Sequence, residues 1–124
     1  MGKFVVKATK TGFVFNLKAG NGEVIATSEI YTTEATCMKG VESVRKNAAD
    51  AKLEDQTVAE VAVVTNPKFE LYTDKAGEFR FRLTARNGEV IAASEGYKAK
   101  ASCLNGIDSV RRNAPDAAVE KPEG

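Results

Sequence analysis

Arg80, Arg82 and Arg86 take the even positions of a run whose odd positions are Phe79, Phe81, Leu83 and Ala85. Successive side chains of a strand point to opposite faces, so the three guanidiniums share one face, about 7 Å apart per two-residue step. Such a stripe can grip an anion or a single nucleic-acid strand, and it is also what the solvated side of a half-buried strand looks like. A second polar group occurs twice: Glu29 and Tyr31, then Glu95 and Tyr97, each behind a serine (Ser28, Ser94) and ahead of a helix. A carboxylate near a helix N-terminus is favoured by the dipole, and a tyrosine packs at a helix entry with its hydroxyl wet. The pair is therefore either structural or a duplicated ligand spot. There is no histidine, which removes the commonest general base, any Ser-His or Cys-His dyad and imidazole ligation of a metal. Cys37 and Cys103 read as packed thiols rather than nucleophiles. Gly20-Asn21-Gly22 sits in a hairpin, not between a strand and a helix, so it is no dinucleotide turn. No catalytic, metal or cofactor residue is assigned.

The elements that carry these groups follow from periodicity. Lys3–Thr9 is a short strand with Phe4, Val6 and Ala8 on one side, and Phe13–Ala19 alternates with Phe13, Phe15, Leu17 and Ala19 on one face. Lys68–Thr73 and Phe79–Ala85 repeat the two, with Arg80, Arg82, Thr84 and Arg86 on the wet side. Asn21-Gly22 and Asn87-Gly88 are hairpin turns. A glycine bulge is the favoured form, because it buries Ile25 and Ile91 rather than Val24 and Val90. Helices follow over Thr33–Asn47 and Ala99–Asn113, with Thr32 or Thr33 capping the first. Their apolar stripes are Cys37, Val41, Val44, Ala48 and Cys103, Ile107, Val110, Ala114. Gly40 and Gly106 sit mid-helix, where close approach to the sheet explains them. Arg45 with Glu42 and Arg111 with Asp108 have the i,i+3 spacing of surface ion pairs. Residues 51–54 and 117–120 read as short fourth strands, 57–64 is β-prone, and Lys121–Gly124 reads as frayed.

The whole pattern occurs twice. Residues 21–50 and 87–116 share 18 identities in 30 aligned positions. Each copy alone would bury only about 60% of its unfolded surface, whereas two copies sharing a core solve that problem. The expected organisation is 1–55 as repeat 1, 56–66 as linker and 67–124 as repeat 2, together one globular domain and a monomer with pseudo-two-fold symmetry.

The net charge is +1, and the chain carries 8 Lys/Arg against 7 Asp/Glu up to residue 55 and 10 against 10 after it. Neither half has the basic excess that tight nucleic-acid binding needs, so that activity is expected to be weak. There is no long apolar run and no signal-peptide pattern, so no membrane partner is expected and the reading is cytoplasmic.

Each copy has a Phe-bearing strand, a Gly turn, Phe-x-Phe-x-Leu-x-Ala, Asn-Gly-Glu-Val-Ile-Ala, Ser-Glu-x-Tyr and a helix ending Gly-[Val/Ile]-x-Ser-Val-Arg-x-Asn. This resembles the YegP-like proteins, bacterial tandem repeats of the DUF1508 domain. The resemblance covers 3–55 and 67–121. It implies an α+β fold of two β-β-β-α-β repeats sharing one mainly antiparallel sheet, two helices on one face, and final strands exchanged between repeats. It implies no catalytic residues and no cofactor. The functional expectation is a non-enzymatic structural or interaction module. The alternatives are a weak anion or nucleic-acid binder through Arg80, Arg82 and Arg86, and a ligand-binding protein or enzyme with duplicated Glu/Tyr sites.

Overall fold

A computed structural model describes residues 2–121. The first repeat supplies strands β1 (Lys3–Ala8), β2 (Phe13–Lys18) and β3 (Val24–Thr27), helix α1 (Glu34–Ala48) and strand β4 (Lys52–Asp55). The second supplies β5 (Lys68–Thr73), β6 (Phe79–Thr84), β7 (Val90–Ala93), α2 (Lys100–Asn113) and, after a 3-10 turn at Ala114–Asp116, β8 (Ala118–Glu120). Among the described residues, the strands form one eight-stranded sheet in the order β4-β5-β6-β7-β3-β2-β1-β8. The order is unchanged when it is reversed and the repeats are swapped, with the antiparallel contact Thr27–Ala93 of β3 and β7 at its centre. Each final strand crosses over: β4 runs parallel to β5, and β8 runs parallel to β1. Arginines fasten both crossings. The Arg111 guanidinium donates to the Ala51 carbonyl at 2.8 Å, and Arg45 donates to the Ala117 carbonyl.

Alternation decides which sheet face is dry. Phe4, Val6, Phe15, Leu17, Phe69, Leu71, Phe81 and Leu83 are fully buried, together with both expected helix stripes. They form one cluster between the sheet and the two helices. The four phenylalanines meet as edge-to-face pairs, Phe4–Phe15 at 5.8 Å and Phe69–Phe81 at 5.9 Å, each worth about 0.5–1.5 kcal/mol beyond its buried area. Thr33 caps α1 by accepting from the Thr36 N–H, whereas Ala99 gives α2 no side-chain cap.

Several local expectations are refined. Gly22 and Gly88 take φ 87° and 86°, as a glycine bulge requires, and Ile25 and Ile91 are buried. A further shift after Leu17 and Leu83 also brings Ala26 and Ala92 inward. Residues 57–64 form no strand. Parallel neighbours need a crossover of about a dozen residues, and 56–67 supplies it. This segment runs over the sheet face away from the helices, where the Val64 N–H donates to Glu54 and Asn66 accepts from Thr84. Thr84 is thereby buried rather than solvated. In α2 the ion pair of Asp108 is with Arg112, because Arg111 is already committed to Ala51. Of the fraying expected at Lys121–Gly124, only Lys121 lies among the described residues, outside any strand and 3.3 Å from Glu34.

Candidate functional site

The Ser-Glu-x-Tyr segments turn the chain from the sheet to the helices. The Ser28 hydroxyl accepts from the Phe15 N–H at 2.9 Å and donates to the Glu29 carbonyl at 2.7 Å. Ser94 does the same with Phe81 and Glu95. These serines are structural. Tyr31 then pairs with Phe13 by two backbone hydrogen bonds of 2.7 Å, and Tyr97 pairs with Phe79 in the same way. The Tyr31 ring stacks on Phe15 at 6.3 Å and the Tyr97 ring on Phe81 at 6.5 Å.

Each tyrosine reaches over a helical glycine. A Cβ at position 40 would lie 2.4 Å from the Tyr31 hydroxyl and 3.0 Å from Phe15, and one at 106 would lie 2.6 Å from the Tyr97 hydroxyl. The mid-helix glycines are therefore places where helix and tyrosine touch, as close approach predicts. Both tyrosines are half-buried. Each tyrosine also lines a groove made jointly by the two repeats. The Tyr31 groove, about 180 Å³, is floored by Gly40 and Ser43 of α1 and closed by Asn87 and Glu89 from the hairpin of the other repeat. The Tyr97 groove, about 460 Å³, is lined by Glu23, Val24 and Ile25 from the first hairpin, with Glu95 and Gly96.

The electrostatics agree with this crossing. Burial pushes the Tyr31 phenol up, and Cys37, Glu29 and Glu89 push it further. Tyr97 is raised by burial and then by Cys103, Glu95 and Glu23. Burial raises the Cys37 thiol, helped by Glu34, and holds the Cys103 thiol at about 11. Both phenols are protonated at neutral pH and can donate into the grooves, whereas the thiols lie in the core outside them.

Glu95 lines the Tyr97 groove together with Glu23 from the other repeat, whereas Glu29 is absent from the lining of the Tyr31 groove, where Glu89 from the other repeat stands. The available signal was the identity of the glutamate in both Asn-Gly-Glu turns, which the turn itself does not demand. The arginines are not brought together. Arg80 is tied to Asp74 at 2.6 Å, and Arg82 to Glu70 at 2.5 Å with its guanidinium 4.6 Å over Tyr72. Arg86 lies beyond the end of β6 and lines an opening of about 440 Å³, next to the Tyr31 groove, with Ser43, Lys46, Asn47, Ala85 and Asn87. The three guanidiniums do not project together, because β6 ends at Thr84 and the turn carries Arg86 to the helix side.

Comparison with known proteins matches this architecture. A UPF0339 protein of Bordetella pertussis is 43% identical over 119 residues, covering 96% of this chain and 94% of the relative. A UPF0339 protein of Treponema denticola is 69% identical over 52 residues, 42% of this chain but 90% of that relative, about one repeat. The solution NMR structure of yegP from E. coli, described as a protein of unknown function, superposes with a TM-score of 0.80 at 35% identity, covering 99% of this chain and 94% of that one. The profile of the domain of unknown function DUF1508 matches twice, at residues 8–55 and 74–120, and the chain belongs to that family.

Proposed function

We propose that the protein is a non-enzymatic binding module, acting as a monomer, whose paired tyrosine grooves hold a small molecule or a partner's side chain. The observation that carries this reading is that Tyr31 and Tyr97 each line a groove that needs both repeats to exist. A phenol that lines an open groove can exchange its water for a ligand group. Binding is preferred to catalysis because burial shifts both groove phenols, Tyr31 and Tyr97, further from neutral pH, whereas acid–base chemistry needs groups near it. The two cysteines, unpaired and buried, suit a reducing cytoplasmic setting.

The test is an amide-detected NMR screen with a library of small neutral and charged fragments, on wild type and on the Tyr31→Phe/Tyr97→Phe variant. Expected are saturable shifts at Gly40, Gly106 and the two hairpin turns, reduced in the variant, with every fragment recovered chemically unchanged. Absence of any groove response, or turnover of a bound fragment, overturns the reading.

A further inference from the structure

We propose that the opening beside the C-terminal half of α1 binds a small anion, a phosphate or carboxylate group, between Lys46 and Arg86. This rests on the binding-module reading and gives the opening that adjoins the Tyr31 groove a ligand class. The opening holds about 440 Å³, and its lining contains two cations and no carboxylate. It joins the Tyr31 groove through the shared residues Ser43, Ala85 and Asn87. Among the described residues, neither Lys46 nor Arg86 has a salt-bridge partner. Glu42, which stands one turn before Lys46, is taken by Arg45 at 2.8 Å. Lys46 lies in the last turn of a helix, where the dipole alone accounts for a cation. Arg86 lies in a hairpin turn, where no such account applies.

The neutral donors fit the same ligand. The Ser43 Oγ accepts from Asn47 Nδ2 at 3.0 Å, which leaves its hydroxyl proton to donate. The Asn87 Oδ1 accepts from the Glu89 N–H at 3.0 Å, which leaves the Asn87 NH2 to donate. Two cations and two neutral donors are what an oxyanion with several lone pairs needs.

The other half supplies an internal control. The equivalent place carries Ser109, Arg112, Asn113, Ala19, Gly20 and Asn21. There Arg112 is bound to Asp108 at 2.9 Å, and glycine stands where Arg86 would be. The same backbone thus exists once with two uncommitted cations and once with none.

The experiment titrates the intact protein with inorganic phosphate, and separately with succinate, against chloride at constant ionic strength, following amide shifts by NMR. Expected are saturable shifts at Ser43, Lys46, Asn87 and Gly88 and none at Ser109 or Asn21. Affinity should fall about tenfold or more in Lys46→Gln/Arg86→Gly, as for a lost charge-assisted hydrogen bond. The reciprocal variant Gly20→Arg/Asp108→Asn should gain a response at Asn21 and Ser109. Response to one anion alone identifies phosphate or carboxylate as the source. Shifts that are absent, follow chloride equally, or survive in the Lys46/Arg86 variant overturn the anion site. If neutral fragments still respond at Gly40 in that case, the binding-module reading stands and only the anion falls.

Discussion

Lys3 meets Glu120 at 2.9 Å, and Lys68 meets Glu54 at 2.9 Å, at equivalent places in the two halves of the sheet. The side chains of the first pair are 45% and 58% exposed, those of the second 13% and 5%. The difference comes from the 56–67 crossover. It covers the second pair and adds hydrogen bonds to Glu54 from Gln56 Nε2 and the Val64 N–H. Around it the covered half has grown an ionic cluster of Lys68, Glu70 and Arg82, where the open half has Lys3, Val5 and Asn16. Duplication supplied one pair twice, and the local dielectric made the copies different things. An exposed pair contributes little, whereas breaking a buried one leaves a charge without water.

The core under the two halves should not distinguish them. Leu17→Ala and Leu83→Ala replace fully buried side chains, and each is expected to cost about 2–5 kcal/mol in urea unfolding. A large gap between the two would mean that the halves do not share one core. The Lys pairs should then separate them. Lys68→Met is expected to cost about 3 kcal/mol, whereas Lys3→Met should leave the urea midpoint unchanged within error. Equal effects would remove the crossover from the explanation.

The helical glycines test the symmetry at finer grain. Gly40→Ala and Gly106→Ala each add about 1 kcal/mol of helix propensity but drive a methyl into a tyrosine hydroxyl. A net loss of about 1–3 kcal/mol is expected, partly recovered when Tyr31→Phe is added to Gly40→Ala. Stabilisation by either alanine would show that the helix simply moves away.

Acid should sharpen the comparison. Hydrogen bonds from Gln56 and then Lys68 hold the Glu54 carboxyl below its ordinary 4.5. A lowered folded value means that its stabilisation is present above 4.5 and is lost as pH falls from there towards the folded value. Glu120 is lowered too, through Lys3. Urea melts between about pH 6 and pH 3.5 should show a shallower loss in Glu54→Gln than in wild type. The Glu54 contribution should resist added salt, and that of Glu120 should not.

The smallest effect expected is on nucleic acid. Arg80 and Arg82 are already bound to Asp74 and Glu70, so labelled single strands should show no saturable binding at about 0.15 M salt. Tight binding lost in Arg80→Ser/Arg82→Ser would show that the carboxylates release their arginines to a polyanion.

Much of the fold was legible because it rests on periodicity. Phe15, Leu17, Phe81 and Leu83 were readable from alternation, the Cys37–Ala48 stripe from helical spacing, and the duplication from a fixed offset. What escaped depends on contacts between distant segments. No local pattern reveals that Thr27 meets Ala93, and that seam is what carries Glu89 to Tyr31. Alternation placed Thr84 in water because it cannot see the crossover lying on it. Strand parity grouped Arg86 with Arg80 and Arg82, and parity lapses where a strand ends. The exchange of final strands came from family resemblance alone, since β4 and β8 are short and carry no register signal.

That exchange also sets a clock on synthesis. β4 meets β5 after only 16 positions, Lys52 to Lys68, but β1 waits 115 positions, Lys3 to Ala118, for β8. At about 5–20 residues per second the outer edge of β1 stands bare for about 6 to 23 seconds while the rest is made. A bare edge is a template for other strands. Of the described strands, β1 is made before the others and its outer edge is covered last, so nascent chains carry an open pairing edge until β8 is made.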